Sequence, residues 1–345
     1  VRAAKAKAGS GLDAVTAAAL VALPLVFATG SLALGAYAVD PIEVCRILLA
    51  RIVGRDLGAD AMAANLVWEV RVPRVLAAAV VGAGLSVTGA MFQGLFKNPL
   101  AAPDTLGVSN GAGFGAALAI VAGLSGFGTQ VGAIAFGLAA VALAFAIVAR
   151  GRASTVTLIL SGMLVGSLFS SLVSLLKFVA DPTEKLPQIV YWLMGSLSGV
   201  GYDALSGVLP PYLAFMGVLF LFRWRANVLS MGDAEARSFG IDVARDRGII
   251  IASCSVVTAL TVSLSGIIGW VGIVVPHLAR MLVGPDFRRL LPASASLGMC
   301  YLIAIDDLCR TVSAFEIPIG VITGIIGAPM FLYFIYRRKV AWWCA

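Results

Sequence analysis

Charge is scarce in this 345-residue chain. Asp, Glu, Lys and Arg together make up 12% of it, against roughly 25% in an average soluble domain. Hydrophobic residues make up 60%, and the mean hydropathy is +0.98. A chain this apolar could not cover a soluble core with polar groups, so a soluble globular class is excluded; a bilayer removes the difficulty because lipid is the solvent. Histidine is almost missing. His277 is the only one, which rules out a histidine-based metal cluster within one chain. The five cysteines, Cys45, Cys254, Cys300, Cys309 and Cys344, include no CxxC pair and mostly lie in or beside apolar runs, as small packing residues do. No G-x-x-x-x-G-K-[S/T] phosphate loop occurs. No nucleophile, base or metal cluster stands inside an apolar run, which counts against a membrane-embedded enzyme. The acids fall mostly near the ends of the runs, which counts against the main rival reading, an ion-coupled secondary transporter with a midplane site.

What the chain does have is about ten apolar runs, set against the ~20 residues that cross a bilayer. They cover residues 12–37, 71–96, 106–121, 128–148, 156–176, 205–222, 248–264, 268–282, 290–305 and 317–336. The expectation is an all-α integral membrane protein, a single domain over 1–345. The first run is long enough to stay as a span, so no cleaved leader is expected. A mixed stretch, 39–69, follows it, and a short helix outside the core is expected within 181–198. The net charge is +7, but the basic residues sit in short groups between runs, which is a membrane-orientation pattern and not a nucleic-acid footprint. With ten spans and both termini cytoplasmic, Arg2, Lys5, Lys7, Lys97, Arg150, Arg152, Arg223, Arg225, Arg237, Arg245, Arg247 and the 337–339 cluster fall inside. Most acids, from Asp40 and Asp56 to Asp306, Asp307 and Glu316, fall outside. In this topology Cys45 and Cys309 share the outer face, where a disulfide is conceivable. Small-xxx-small spacings at Gly107/Gly111, Gly111/Gly115, Gly162/Gly166 and Gly320/Gly324 predict closely packed helices.

The polar segment 226–245 interrupts the runs with its own punctuation. Asp233 is a candidate N-cap, 234–239 a short helical turn, and Gly240 a stop; Asp242 can then cap the helix that leads into the seventh run. Two short helices joined at a glycine make a compact knob, where a plain polar loop would need no paired cap and stop.

Seven segments in order resemble the permeases of the iron-siderophore, haem and cobalamin ABC importers, the vitamin B12-type or type II importers. They are Arg71-Val-Pro-Arg-Val-Leu, Gly89-Ala-Met-Phe-Gln-Gly-Leu-Phe-Lys-Asn-Pro-Leu-Ala, Leu106-Gly-Val-Ser-Asn-Gly-Ala-Gly, Trp192-Leu-Met-Gly-Ser-Leu, the 231–241 knob, Gly269-Trp-Val-Gly-Ile-Val-Val-Pro-His-Leu-Ala-Arg and Ile317-Pro-Ile-Gly-Val-Ile-Thr-Gly-Ile-Ile-Gly-Ala-Pro. The resemblance spans about three quarters of the chain. It implies a ten-helix subunit of a two-fold dimer in a prokaryotic cytoplasmic (inner) membrane, with the pathway at the dimer axis, two ATPase subunits below and one substrate-binding protein above. ATP and Mg would belong to the ATPases, and this subunit would hold no cofactor or metal. The cargo would be a metal chelate, with ferric siderophore or haem first and cobalamin or molybdate/tungstate as alternatives.

The same resemblance assigns Met231, Gly232, Glu235, Ala236, Arg237 and Gly240 to ATPase coupling. It assigns Arg71, Arg74 and Arg310 to receiving acids of the binding protein. Read from the residues alone, these arginines could equally be snorkelling anchors, and Arg310 an i,i+4 partner of Asp306. Ser167, Ser170, Ser171 and Ser174 share one helix face. That stripe is either a mildly polar wall of the pathway or small-residue packing; Ser86 and Gln93 belong to a similar stripe on the second run. His277, next to Pro276, is expected to be structural, bonding carbonyls that the proline frees.

Overall fold

A computed structural model describes residues 14–336 apart from 36, 55–57, 59, 150–154 and 314. Arg2, Lys5, Lys7, Asp56, Arg150, Arg152, the 337–339 cluster and Cys344 therefore lie outside the described residues. In chain order the helices are α1 (Ala14–Ala33), α2 (Pro41–Val53), α3 (Ala61–Asn65), a π-helical turn at Leu66–Arg71, α4 (Val72–Leu95), a 3-10 turn at Pro103–Leu106, α5 (Val108–Val121), α6 (Phe127–Ala149), α7 (Thr155–Val179), α8 (Lys185–Met194), α9 (Tyr202–Leu221), α10 (Arg223–Met231), α11 (Asp233–Ser238), α12 (Val243–Ser265), α13 (Val271–Val283), α14 (Phe287–Thr311) and α15 (Ile319–Tyr336).

Each expected apolar run holds one helix. Seven of these, α1, α4, α6, α7, α9, α12 and α14, are long and apolar enough to cross a membrane, while α5, α13 and α15 are shorter. At ~1.5 Å per residue, α5 and α13 fall short of a ~30 Å hydrocarbon core. Backbone outside the α-helical pattern precedes both: the 3-10 turn Pro103–Leu106 with Gly107, and the non-helical stretch 266–270. Such backbone is tolerated at depth only where protein encloses it, and Pro103, Leu106 and Gly107 are buried. The mixed stretch 39–69 is less formless than its composition suggests, since it contains α2 and α3. A short helix is present within 181–198 as α8, preceded by a turn in which the Asp181 carboxylate accepts from the backbone N–H of Thr183 (2.9 Å) and Glu184 (2.8 Å).

α4 is the most enclosed span and α1 the least. Enclosure of α4 depends on bare backbone. A Cβ added at Gly82 would collide with the Gly298 carbonyl of α14, and one at Gly298 with the Gly82 carbonyl. In lipid, where no hydrophobic force draws helices together, such close approach supplies the dispersion contacts. Gly111 and Gly115, singled out by spacing, do meet α6 backbone in this way, at Phe136 and Gly132; Gly324 faces open space.

α4 also begins abnormally. Pro73 has no N–H to give the carbonyl one turn back, and the register upstream widens to i→i+5, with the Val72 N–H bonded to the Val67 carbonyl. This turn ends at Arg71.

Candidate functional site

The bundle has two polar ends. At one, the end of α4 meets α10, α11 and the starts of α12 and α14. At the other, the start of α4 meets the ends of α1 and α14.

The first end carries the knob. The Lys97 Nζ donates to the Met231 carbonyl at 2.8 Å, which ties the end of α10 to the end of α4. Gly232 then breaks the helix with φ 152° and ψ 163°, a backbone conformation that disfavours a side chain. The Glu235 carboxylate folds over the space a Cβ would take there. Asp233 is the first residue of α11 and not its N-cap, as the punctuation had suggested. Its carboxylate pairs instead with Arg247 of α12 at 2.7 Å. The hydrogen bond from Arg247 holds the Asp233 carboxyl below the usual carboxylate range. The stop at Gly240 is as expected: φ is 76°, the Gly240 N–H reaches the Arg237 carbonyl (2.9 Å) and the Ile241 N–H the Ala236 carbonyl (3.1 Å), a Schellman ending. Asp242 caps α12 by accepting from the Arg245 N–H at 3.1 Å. Arg225–Asp246 (2.8 Å) and Asn227–Asp286 (2.6 Å) fix α10 to α12 and α14.

The knob is thus held at both ends, and its tip is left bare. Met231, Glu235, Arg237 and Gly240 are exposed. Ala236 is turned inward and fully buried, so its place among the contact residues is corrected: it seats α11 on the body. Phe239, which spacing alone passed over, is 60% exposed beside Met231 at 58%.

At the opposite end the three arginines do not stand free. Arg71, Arg74 and Arg310 are 4%, 7% and 7% exposed. Arg74 grips Asp306 with two nitrogens (Nε 3.0 Å, Nη2 2.9 Å) and Glu316 with the third (Nη1 2.7 Å). Arg310 forms a close ion pair with Asp307 and lies 3.7 Å from Asp306. It also donates to the carbonyls of Ser31 (2.6 Å) and Leu34 (3.0 Å), while Arg71 donates to Leu32 (2.6 Å) and Tyr37. The C-terminal carbonyls of α1 have no partner within their own helix, and two guanidinium groups take that role. Burial and this pairing correct the picture of exposed receptor arginines; in this conformation they clamp α1 to α4 and α14. Glu316, in the connection between α14 and α15, is the one acid of the cluster with a substantially exposed side chain. A cavity of about 740 Å³ opens at the same end between the α5–α6 turn, α8 and residues 196–204, with Gln130, Gln188 and the hydroxyls of Tyr191, Ser196 and Ser198 on its wall.

Between the ends, α7 presents an open face. Ser167, Ser170, Ser171 and Ser174 are all exposed on it, and Ser171 and Ser174 fold their hydroxyls back to the carbonyls four residues earlier (3.0 and 3.1 Å). Ser86 and Gln93 are elsewhere. Both are fully buried. Ser86 packs against Gly298, while Gln93 donates to the Ile273 carbonyl (3.2 Å) and accepts from Arg280 (3.1 Å). They belong to the contacts of α4 with α13 and α14, not to a surface, because the glycines beside them draw those helices together. His277 is buried against the rings of Phe331 and Phe334, and its Nε2 has no hydrogen-bond partner; the expected bond to a freed carbonyl is not made through that atom. Cys45 and Cys309 are both free thiols. No group of three His, Cys, Asp or Glu that could hold a metal is found among the described residues.

Comparison with known proteins places this architecture. Residues 22–337 match the FecCD transport family. The molybdate import system permease protein MolB of Haemophilus influenzae is 39% identical over 321 residues, covering 93% of this chain and 95% of that protein. The cobalamin import system permease protein BtuC of Halobacterium salinarum is 41% identical over 287 residues (83% and 77%), and the hemin transport system permease protein HmuU of Yersinia pestis 37% over 286 (79% and 84%). A solved metal-chelate type ABC transporter in an inward-facing conformation superposes with a TM-score of 0.85 at 37% identity, over 94% of this chain and 99% of that one. The chain belongs to the FecCD transport family and is a multi-pass permease subunit of a type II ABC importer of the metal-chelate kind.

Proposed function

We propose that this permease carries an iron chelate, a ferric siderophore or haem, and works as a homodimer with both termini cytoplasmic. Two ATPase subunits, holding ATP and Mg, dock on the α10–α11 end, and one substrate-binding protein docks on the Arg74 end. The observation that carries this reading is the knob: a short helix pinned by Lys97 and Arg247 with a bare tip of Met231, Glu235, Arg237 and Phe239. A rigid projection transmits a push, which a solvated loop would absorb. The basic excess at that end fits a cytoplasmic placement. The exposed serines of α7 suit a wall across the dimer axis, weakly polar and without fixed charge, so that a bulky cargo is released and not gripped. The long alignment with MolB, over nearly the whole of both chains, keeps an oxyanion cargo as the second reading.

The test is reconstitution in liposomes with the cognate ATPase and binding protein. The binding protein is expected to retain an iron chelate, and ATP-driven uptake of that chelate to depend on it. Retention of molybdate would move the assignment to the second reading.

Docking at the Arg74 end has its own test. Glu316 occupies one edge of Arg74, while Asp306 keeps the other. A carboxylate arriving from the binding protein must displace Glu316. Glu316→Gln is therefore expected to tighten binding-protein association about three- to fivefold at low salt, the scale of one exposed ion pair, with the gain fading at high salt. Titration of the binding protein into the reconstituted complex reads this directly. Unchanged affinity at low salt removes Arg74 from the docking surface.

A further inference from the structure

α2 differs in kind from the long apolar helices. It has only 13 residues, about 20 Å of helix, too short to cross a bilayer. Its sides divide into three arcs at about 100° per residue. Val44 and Ile47 are buried against the body of the protein. Glu43 and Arg46 mark a polar arc, paired at 2.8 Å, with Glu43 also accepting from the Asp60 N–H at 3.0 Å. The third arc is Ile42, Cys45, Leu49, Ile52 and Val53, and every one of these is exposed, Ile52 at 80%. A helix lying on its own protein in water would show polar groups over all of its open side. Here much of the open side is apolar.

What lies next to that arc identifies its occupant. α2 packs beside α1, the least enclosed of the long spans. Exposed apolar side chains recur from Leu25 and Val26 on α1 through Leu34 and Tyr37 in the connection to Ile42 on α2, with Thr29, whose hydroxyl folds back to the Leu25 carbonyl (2.9 Å), and the capping Asp40 as the exposed polar residues between them. The apolar exposure of the span is thus taken up again on the short helix packed beside it. Arg51 stands over the Trp68 ring, 5.4 Å from its centroid. The Trp68 ring in turn lies 6.3 Å from that of Tyr202, and arginine, tryptophan and tyrosine are the side chains that settle at a headgroup boundary, with apolar bodies inward and polar ends in the wet layer. Asp40 caps the helix by accepting from the Ile42 N–H at 2.7 Å, and Gly54 ends it at φ 69°, so its length is set by local signals and not by fraying.

The geometry points to α2 as an interfacial helix, seated with its Ile42–Leu49–Ile52 arc in the boundary between headgroups and acyl chains at the Arg74 end of the bundle. It would act as a collar beside α1, fixing the depth at which the clamped end of that span meets the membrane surface.

Cys45 lies on this arc and is an exposed thiol, whereas Cys254, Cys300 and Cys309 are buried. A nitroxide attached at Cys45, in full-length protein carrying Cys344→Ser and reconstituted in phosphatidylcholine–phosphatidylglycerol vesicles, reports its surroundings by power saturation. The label is expected to collide with oxygen several-fold more readily than with a water-soluble nickel chelate. In a Leu49→Asp/Ile52→Asp variant the preference should fall towards that of a label placed at Asp203→Cys, because the arc is withdrawn from lipid. Nickel accessibility at Cys45 equal to that at position 203 in the unaltered protein would overturn the proposal. So would a label screened from both reagents only when the binding protein is added, since a protein would then be the occupant.

Discussion

Exchanging the two charges at the tip of the knob, Glu235→Arg with Arg237→Glu, is expected to abolish coupled transport while leaving the permease folded. Both side chains are exposed, and the contacts that hold the knob do not use the Arg237 side chain. Asp233 keeps Arg247, Met231 keeps Lys97, and the Gly240 ending is pure backbone. The fold therefore has little reason to respond. A partner surface complementary to the native order of charges meets two like-charge juxtapositions, each costing up to several kcal/mol when water is excluded. Since every 1.4 kcal/mol is tenfold, uptake and substrate-stimulated ATP hydrolysis should fall by at least ~10-fold. Phe239→Asp should act similarly by removing the apolar part of the tip. Chelate uptake and ATP hydrolysis are measured in the same proteoliposomes, with the melting temperature as a control for folding. Normal coupling in the charge-swapped protein sinks the docking assignment.

The second large effect is on stability. Asp306 is 1% exposed and sits between two guanidinium groups, held by Arg74 at 2.9–3.1 Å and lying 3.7 Å from Arg310. Asp306→Ala leaves two buried cations short of an anion. Breaking a buried pair from one side costs roughly 3–5 kcal/mol; Arg74 keeps Glu316 and Arg310 keeps Asp307, which puts the expected loss at the lower end of that range. The melting temperature in detergent should drop by several degrees. Arg310 also holds the end of α1, so α1 should become the first segment cut by a protease. Adding Arg74→Leu to Asp306→Ala should restore part of the loss, since a shape-filling apolar replacement of a whole pair is often close to neutral. Glu316→Ala serves as the comparison: its side chain is 39% exposed, water can take its place, and its cost should stay near 1 kcal/mol or below. A melting temperature unchanged by Asp306→Ala would mean that the network does not hold α1.

These two sites differ in how far they could be read before folding. The knob is made of neighbours. Cap, stop and turn residues act on backbone groups within four or five positions, so Gly240 and Asp242 announced its shape. Asp233 was misjudged because Arg247, fourteen residues away, outbids the local backbone for its carboxylate. The inward turn of Ala236 and the outward turn of Phe239 follow from how α11 lies on α12, which spacing does not express.

The arginine clamp was not legible. Arg71, Arg74 and Arg310 were visible as charges at run ends, and the acids too, but Arg74 and Asp306 are 232 positions apart. Nothing local says that they will face each other and not a partner protein. Ser86 and Gln93 failed for a related reason. A helix that is apolar or small on every side has no stripe to show which face will be enclosed, so the choice between a polar lining and packing stayed open for both residues until the packed structure buried them.

The sequence by itself determined where the apolar helices run, because a bilayer demands long apolar segments with backbone bonds closed within each, and both are one-dimensional requirements. It determined the knob's punctuation for the same reason of locality. Only the tertiary structure decided which polar groups are spent inside. The approach of α4 to α14 at Gly82 and Gly298 buries Ser86, and the meeting of α1, α4 and α14 turns three expected receptor arginines into each other's neighbours around Asp306 and Asp307. Ion pairs are chosen by distance in space, and that distance does not exist until the helices have packed.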